Sequence, residues 1–150
     1  MKIKEVIPKD LNEIFNLEQA VFKEDAFSKE LMKKLISKNI FFLKIEKHGI
    51  KKIVTGFVIV VKDREDRANI INLVIHPNYQ NKGYGSLLLK ETIKRIKELN
   101  KVNRIVLNVK VNNTSAIKLY KKFGFQIVQQ IDNYYRSKEA SYLMLKFLKK

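Results

Sequence analysis

Asn69 to Ile75 is a run of apolar and β-branched residues that leads into Tyr79-Gln-Asn-Lys-Gly-Tyr-Gly-Ser86. From Gly83 the apolar spacing becomes helical, with Leu89, Ile93, Ile96 and Leu99 on one face. No other stretch constrains the chain as much as this succession of strand, glycine turn and helix N-terminus. Exposed backbone amides and the positive end of the helix dipole converge at the turn, which makes it an anion site with a phosphate as the expected occupant. A P-loop would end in Gly-Lys-Ser/Thr, whereas Gly85 is followed by Ser86-Leu87. A dinucleotide fingerprint would need a third glycine where Leu88 stands. Both of those phosphate loops are excluded.

The rest of the chain supplies elements to either side. Met1 to Ile7 reads as a first strand ended by Pro8, and Asp10-Leu-Asn-Glu13 as a capping box opening a helix with a core stripe of Leu11, Ile14, Phe15, Leu17 and Val21. A second helix is expected near Ser28 to Lys38. Ile40 to Glu46 and Ile53 to Val61 read as strands joined through His48-Gly49. Arg104 to Val111 is a strand, Asn113 to Phe123 a helix stopped by Gly124 in a left-handed cap, and Phe125 to Ile131 and Ser141 to Leu148 are two closing strands. The expected order is β-α-α-β-β-β-α-β-α-β-β: an α+β fold with a mixed sheet of about seven strands and four helices. With no repeat or linker, residues 1–150 are expected to form one domain.

Composition narrows the chemistry. The chain has no cysteine and only two histidines, His48 and His76, so a disulfide framework, a thiolate metal site and a cysteine nucleophile are excluded and no metal is expected. The N-terminus lacks the apolar region of a signal peptide and no run approaches membrane-spanning length, so a cytoplasmic protein without a membrane partner is expected. The formal net charge of +16 comes mostly from lysines spread over the whole chain. It is read as a solvated surface, and nucleic acid is not the expected partner.

Gln80-x-x-Gly83-x-Gly85 resembles the pyrophosphate loop of the GCN5-related N-acetyltransferase family, and its place between a strand and an amphipathic helix is the context that loop requires. Asn113-Thr-Ser-Ala116-Ile-Lys-Leu119-Tyr120-Lys-Lys-Phe123-Gly124-Phe125 resembles the family's second signature, Asn-x-x-Ala-x-x-Leu-Tyr-x-x-x-Gly-Phe. The expected element order is also the family's, so the resemblance spans the chain. It implies acetyl-CoA as co-substrate. Gln80, Asn81, Lys82, Gly83, Tyr84, Gly85 and Ser86 would hold its pyrophosphate, with Asn113 and Ala116 alongside. Leu73, Val74 and Ile75 would meet the pantetheine arm where their strand splays from the next at a bulge. Tyr120, on the signature tyrosine, would touch the cofactor and protonate the departing thiolate. A phenol, whose ordinary pKa is about 10, holds its proton at neutral pH.

The resemblance places a general base, Glu or His in many members, where Asn108 stands, and a His or Tyr in others where Asn69 stands. Asparagine takes no proton at physiological pH, but it can hold a water that passes one on. Asn108 and Asn69 are therefore the candidate positions, and Glu24, between the first two helices, is an alternative. On the substrate side, Tyr134-Tyr135 resembles the tyrosine pair that protein N-terminal acetyltransferases, including ribosomal-protein alanine acetyltransferases, set beside the substrate peptide; Glu24 is grouped with it. A weak proton acceptor suits an α-amine, whose pKa is near 8, better than a lysine near 10.4. The expected activity is acetyl transfer to a peptide or protein N-terminus by direct attack in a ternary complex, with a ribosomal protein among the candidate targets. The alternatives are acetylation of a small amine, such as a polyamine, amino sugar or antibiotic, and a non-catalytic acyl-CoA- or nucleic-acid-binding module.

Overall fold

The computed structural model describes residues 1–149. Seven strands form one sheet in the order β1-β2-β3-β4-β5-β7-β6, and the element order matches the one expected. The strands are β1 (Lys2–Glu5), β2 (Phe41–Lys47), β3 (Ile53–Arg64), β4 (Arg67–Ile75), β5 (Arg104–Lys110), β6 (Gln126–Ile131) and β7 (Ser141–Phe147). The helices are α1 (Leu11–Phe22), α2 (Lys29–Ser37), α3 (Tyr84–Lys97) and α4 (Thr114–Lys122). Among the described residues only β4 and β5 pair in parallel, and α3 makes the crossover that a parallel pair requires.

Helices cover both faces. Ile14 and Leu17 of α1 and Met32 and Leu35 of α2 pack on Phe57, Ile59 and Val74. Leu88, Leu89, Ile93 and Ile96 of α3 and Ile117 of α4 pack on Leu43, Val58, Ile105 and Leu107. Truncating any one of the fully buried leucines or isoleucines to alanine would cost about 2–5 kcal/mol, so both layers are held mainly by these contacts.

Two sequence expectations are corrected. The capping box at Asp10 does not form: Asp10 accepts the Ile7 amide at 2.8 Å and the Lys44 ammonium at 2.9 Å, while Glu13 accepts the Val54 amide at 3.0 Å. Lys44 is buried and must be paired, and its charge takes the carboxylate that a cap would have used. The hairpin of β3 and β4 extends beyond the apolar run, to Arg64 and back from Arg67, because the charged Lys62–Arg67 stretch is a solvated ribbon closed by an Arg67 to Asp63 pair at 2.9 Å.

The opening in the sheet follows from its register. β4 pairs with β5 from Arg67 opposite Arg104 only as far as Ile70 opposite Leu107. At that point Ile71 is an extra residue on β4, between Ile70 opposite Val60 and Asn72 opposite Ile59. This one-residue bulge bends β4 away. Beyond it, Asn72 to Ile75 follow β3, Asn108 to Lys110 follow β7, and a gap lies between.

Candidate active site

The glycine turn sits at one end of the gap. Gly83, at φ +85°, caps α3, and the first backbone bond of the helix runs from the Leu87 amide to the Gly83 carbonyl at 3.0 Å. The amides ahead of Leu87 therefore point out of the helix unpaired, as the first turn of a helix requires. A β-carbon on Gly83 would meet nothing within 4 Å, so its need for glycine is the left-handed backbone and the open approach above it. Gly85 has the opposite reason: a β-carbon there would lie 3.3 Å from Leu119 of α4. Asn81 is also left-handed, at φ 61°, and Gln80 donates to the Ile75 carbonyl at 3.0 Å, tying the turn to the end of β4.

A cleft of about 310 Å³ runs from this turn into the gap, lined by Leu73, Val74, Ile75, Gln80, Asn81, Gly83, Gly85, Ser86, Asn113, Ala116 and Tyr120 among others. Lys82 and Tyr84 belong to the turn but do not line the cleft: Lys82 lies over the Tyr79 ring at 5.6 Å, and Tyr84 packs toward the core. A second cavity of about 260 Å³ opens on the far side of the gap, lined by Phe22, Asp25, Phe27, Asn69, Asn72, Asn108, Lys110, Tyr134 and Tyr135 among others. The two share Phe22, Leu73, Asn113, Ala116 and Tyr120. Tyr120 thus stands where they join. Its ring packs edge-on against Phe125 at 5.9 Å, and burial, helped by Tyr135, pushes its phenol well above its ordinary pKa. Among the described residues its hydroxyl has no protein hydrogen-bond partner.

Four asparagines line the second cavity, and each has one amide atom held by the protein. Asn108 accepts the Ser141 hydroxyl at 2.9 Å, Asn69 donates to Asp63 at 3.2 Å, Asn113 accepts the Ala116 amide at 3.2 Å as cap of α4, and Asn72 donates to Glu18 at 2.5 Å. Their remaining polar atoms are left for waters or a bound molecule, in orientations fixed from behind. Glu18, fully buried on α1, also accepts the Phe27 amide at 2.8 Å, and burial raises its pKa against these two hydrogen bonds. It pins the loop after α1 to β4.

That loop brings a carboxylate to the cavity, but it is Asp25. Glu24 is exposed and outside the lining, because the 3-10 turn at Lys23–Asp25 turns it outward. Asp25 accepts the Ser137 amide at 2.9 Å and the Ser137 hydroxyl at 2.7 Å, and lies 2.6 Å from the Lys110 ammonium. Lys110 also pairs with Glu139 at 2.9 Å and sits 5.3 Å over the Tyr135 ring. Tyr134 and Tyr135 stack edge-on at 4.9 Å. Tyr135 is half-buried, with its pKa pushed up to about 12 by burial, whereas Tyr134 is exposed. The network ties the α1–α2 loop to the β6–β7 loop across the cavity mouth.

Burial alone would raise the Asp25 carboxyl, but hydrogen bonds from Lys110 and Ser137 outweigh it and hold the pKa at about 2. A carboxylate depressed in the folded state stabilises it above the unfolded pKa of about 4, and that stability is lost as pH falls toward 2. Unfolding free energies from urea titrations between pH 5 and pH 2 should therefore drop in the parent by on the order of 2 kcal/mol more than in Asp25→Asn. Parallel pH curves would show that the network contributes nothing.

Sequence reasoning brought Tyr120, Asn108, Asn69 and the tyrosine pair to one place but missed Asp25, Lys110 and Glu18. Glu18 had a readable signal, since it falls on the same helical stripe as Ile14 and Val21. Asp25 and Lys110 had none, because their pairing joins segments far apart in the chain.

Comparison with known proteins agrees with this geometry. The chain is similar to an N-alpha-acetyltransferase of Sulfurisphaera tokodaii, 35% identical over 78 residues, which are 52% of this chain and 47% of that protein. It therefore spans about half the length of that relative. It is 32% identical over 130 residues to a putative [ribosomal protein bS18]-alanine N-acetyltransferase of Bacillus subtilis, covering 84% and 81% of the two chains. A spermine/spermidine N(1)-acetyltransferase of the same organism is 39% identical over 70 residues, 47% of this chain and 46% of that one. Among solved structures, Ard1 from Thermoplasma volcanium superposes with a TM-score of 0.90 at 25% identity, covering 99% and 98% of the chains. The acetyltransferase (GNAT) family model matches residues 9–125, and the chain belongs to that family.

Proposed function

We propose that this protein transfers the acetyl group of acetyl-CoA to the α-amine of a peptide or protein N-terminus, by direct attack within a ternary complex. One observation carries the choice of acceptor: the acceptor cavity contains no free base. Its one carboxylate, Asp25, is saturated by Lys110 and Ser137, no histidine lines it, and the remaining polar side chains include four asparagines. An amine must then arrive neutral or lose its proton to water. About a tenth of an α-amine is neutral at pH 7, against about one lysine in a few thousand, a difference of roughly 3 kcal/mol. The same saturation leaves no carboxylate to hold a polycation, which weighs against a polyamine.

The roles follow from position. The amides ahead of Leu87 receive the pyrophosphate, and the gap beside Leu73, Val74 and Ile75 takes the pantetheine arm. The acceptor amine enters from the cavity of asparagines and attacks the thioester carbonyl at the junction. A water held by Asn108 or Asn69 accepts the proton that the nitrogen loses as the amide forms. Tyr120 donates its hydroxyl hydrogen to the sulfur as the carbon–sulfur bond breaks and regains one from the water that took the amine's proton, so the products are an N-acetyl amide and the free thiol. Tyr134 and Tyr135 flank the entering peptide, and Asp25, Lys110 and Glu139 hold that flank in place.

Mass spectrometry of products from matched peptides with free and blocked N-termini tests the reading, with spermidine and an aminoglycoside as controls. Acetylation on the α-amine alone, abolished by blocking even where lysines remain, is the expected result. Equal modification of the blocked peptide would make the protein a lysine acetyltransferase, and turnover of the small amines alone would replace the peptide reading. Tyr134→Ala should raise the peptide KM about three- to tenfold while leaving that for acetyl-CoA unchanged, the effect of losing one hydrogen bond and its ring wall.

A further inference from the structure

Four lysines that look scattered in the sequence gather at one place on the surface. The C-terminal half of α3, the end of α4 and β7 enclose a groove of about 520 Å³ lined by Lys90, Ile93, Lys94, Lys97, Glu98, Phe123 and Lys146. Its rim is four ammonium groups and one carboxylate, and its floor is Ile93 and Phe123. None of these four lysines has a carboxylate partner among the described residues, whereas Arg95, on the same helix, is paired with Glu91 at 2.9 Å. The Lys146 ammonium is pressed over Gly124, where a β-carbon would come within 2.8 Å of it. Burial lowers its pKa, and Lys97 and Lys149 lower it further, so a cation is held here against its neighbours with no carboxylate paired to it among the described residues. The groove is separate from the acetyl-CoA cleft. That cleft is lined by the first residues of α3, Gly85 and Ser86, and the groove by Lys90 onward, so the two share no lining residue and their nearest positions on the helix are about 6 Å apart along its axis.

We infer that this groove binds single-stranded nucleic acid, with its lysines on successive phosphates and a base against Phe123. Lys90, Lys94 and Lys97 fall at intervals of four and three residues, which puts them on one face about 5–6 Å apart. A row of point charges at that spacing tracks an extended phosphodiester chain. An apolar floor with an aromatic ring gives an unstacked base a surface that every base can use, the combination by which single strands are held without sequence preference. Glu98 at the rim opposes the interaction and limits it to the Lys90–Lys97 side. A rigid duplex keeps its bases stacked inside and offers nothing to the floor.

The test is fluorescence anisotropy of a labelled oligouridylate of about 12 nucleotides with the full chain, over a range of salt and without acetyl-CoA. Changing Lys90, Lys94, Lys97 and Lys146 together to Gln should weaken binding about tenfold or more at low salt and reduce the salt slope by about 2.8, or 0.7 for each neutralised contact. Phe123→Leu, which keeps the apolar volume, should weaken the oligonucleotide but not inorganic polyphosphate. The control changes Lys29, Lys33, Lys34 and Lys38, on or beside α2, to Gln for the same loss of charge. The groove variant should keep its peptide acetylation rate, so failure of this inference would leave the enzymatic reading intact. Equal weakening by the α2 set would reduce the binding to bulk charge and overturn the site. So would parent affinity for duplex DNA matching that for the oligonucleotide, or no binding by the parent.

Discussion

Gly83→Val is expected to abolish the rise in Tm that acetyl-CoA produces while leaving a folded protein. Ligand at 100 times its Kd adds about 2.7 kcal/mol to the native state, which for a domain of this size is roughly 5–10 °C. Gly83 sits at φ +85°, where a β-branched residue is strained by about 1–3 kcal/mol, so the variant should melt somewhat lower even without ligand. The open space over Gly83 means that the valine's β-carbon meets nothing of the protein's own beyond its chain neighbours. What it obstructs is the approach to the amides of the first turn of α3. Gly83→Asn, which tolerates the left-handed backbone better, separates the two effects: its unliganded Tm should recover more than its ligand response. Equal acetyl-CoA shifts in the valine variant and the parent would show that the turn does not hold the pyrophosphate.

Tyr120→Phe is expected to lower kcat about a hundredfold and to leave the KM for acetyl-CoA nearly unchanged, the pattern of a contact made mainly in the transition state. The ring remains against Phe125, so packing is retained and the missing atom is the hydroxyl. Because burial raises the Tyr120 phenol, it is protonated at every pH at which the enzyme is used, and an alkaline fall in rate near neutrality cannot come from it. The acid limb should instead follow the acceptor: the rate with limiting peptide should rise with pH up to about 8 and do so equally in the variant. A variant with unaltered kcat, under conditions where chemistry limits the rate, would make Tyr120 a packing residue of α4.

How much of this could be read from residues alone differs by element. The glycine turn, α3 and α4 were legible because their signals are local: a turn chemistry, a 3.6-residue stripe and a glycine stop all lie within a few residues of what they determine. The opening in the sheet was not legible from periodicity, since the Ile71 bulge appears only when β4 is set against β3. Capping of α1 misled for a related reason. Asp10 has the local pattern of a cap, and the buried Lys44, 34 residues away in sequence, took it instead. The mouth of the acceptor cavity was the least visible part. Asp25 and Ser137 meet across 112 residues, and nothing in either segment marks the other as its partner. Tyr134 and Tyr135 stood out through their resemblance to the tyrosine pair of protein N-terminal acetyltransferases, not through a local folding signal.

The four-pair seam between β4 and β5 bears on how the molecule assembles and breathes. β2, β3 and β4 are joined by short turns and can zip in succession, and β5, β7 and β6 make a second ribbon of their own. Joining the ribbons requires closure of the long α3 crossover before any parallel pairing rewards it, which is the costly, late kind of contact. Native-state hydrogen exchange should accordingly find the seam among the first places to open, ahead of the β2–β3 ladder. The pantetheine arm proposed for the gap would touch both ribbons, and would so act as a removable rung in a ladder that is incomplete without it.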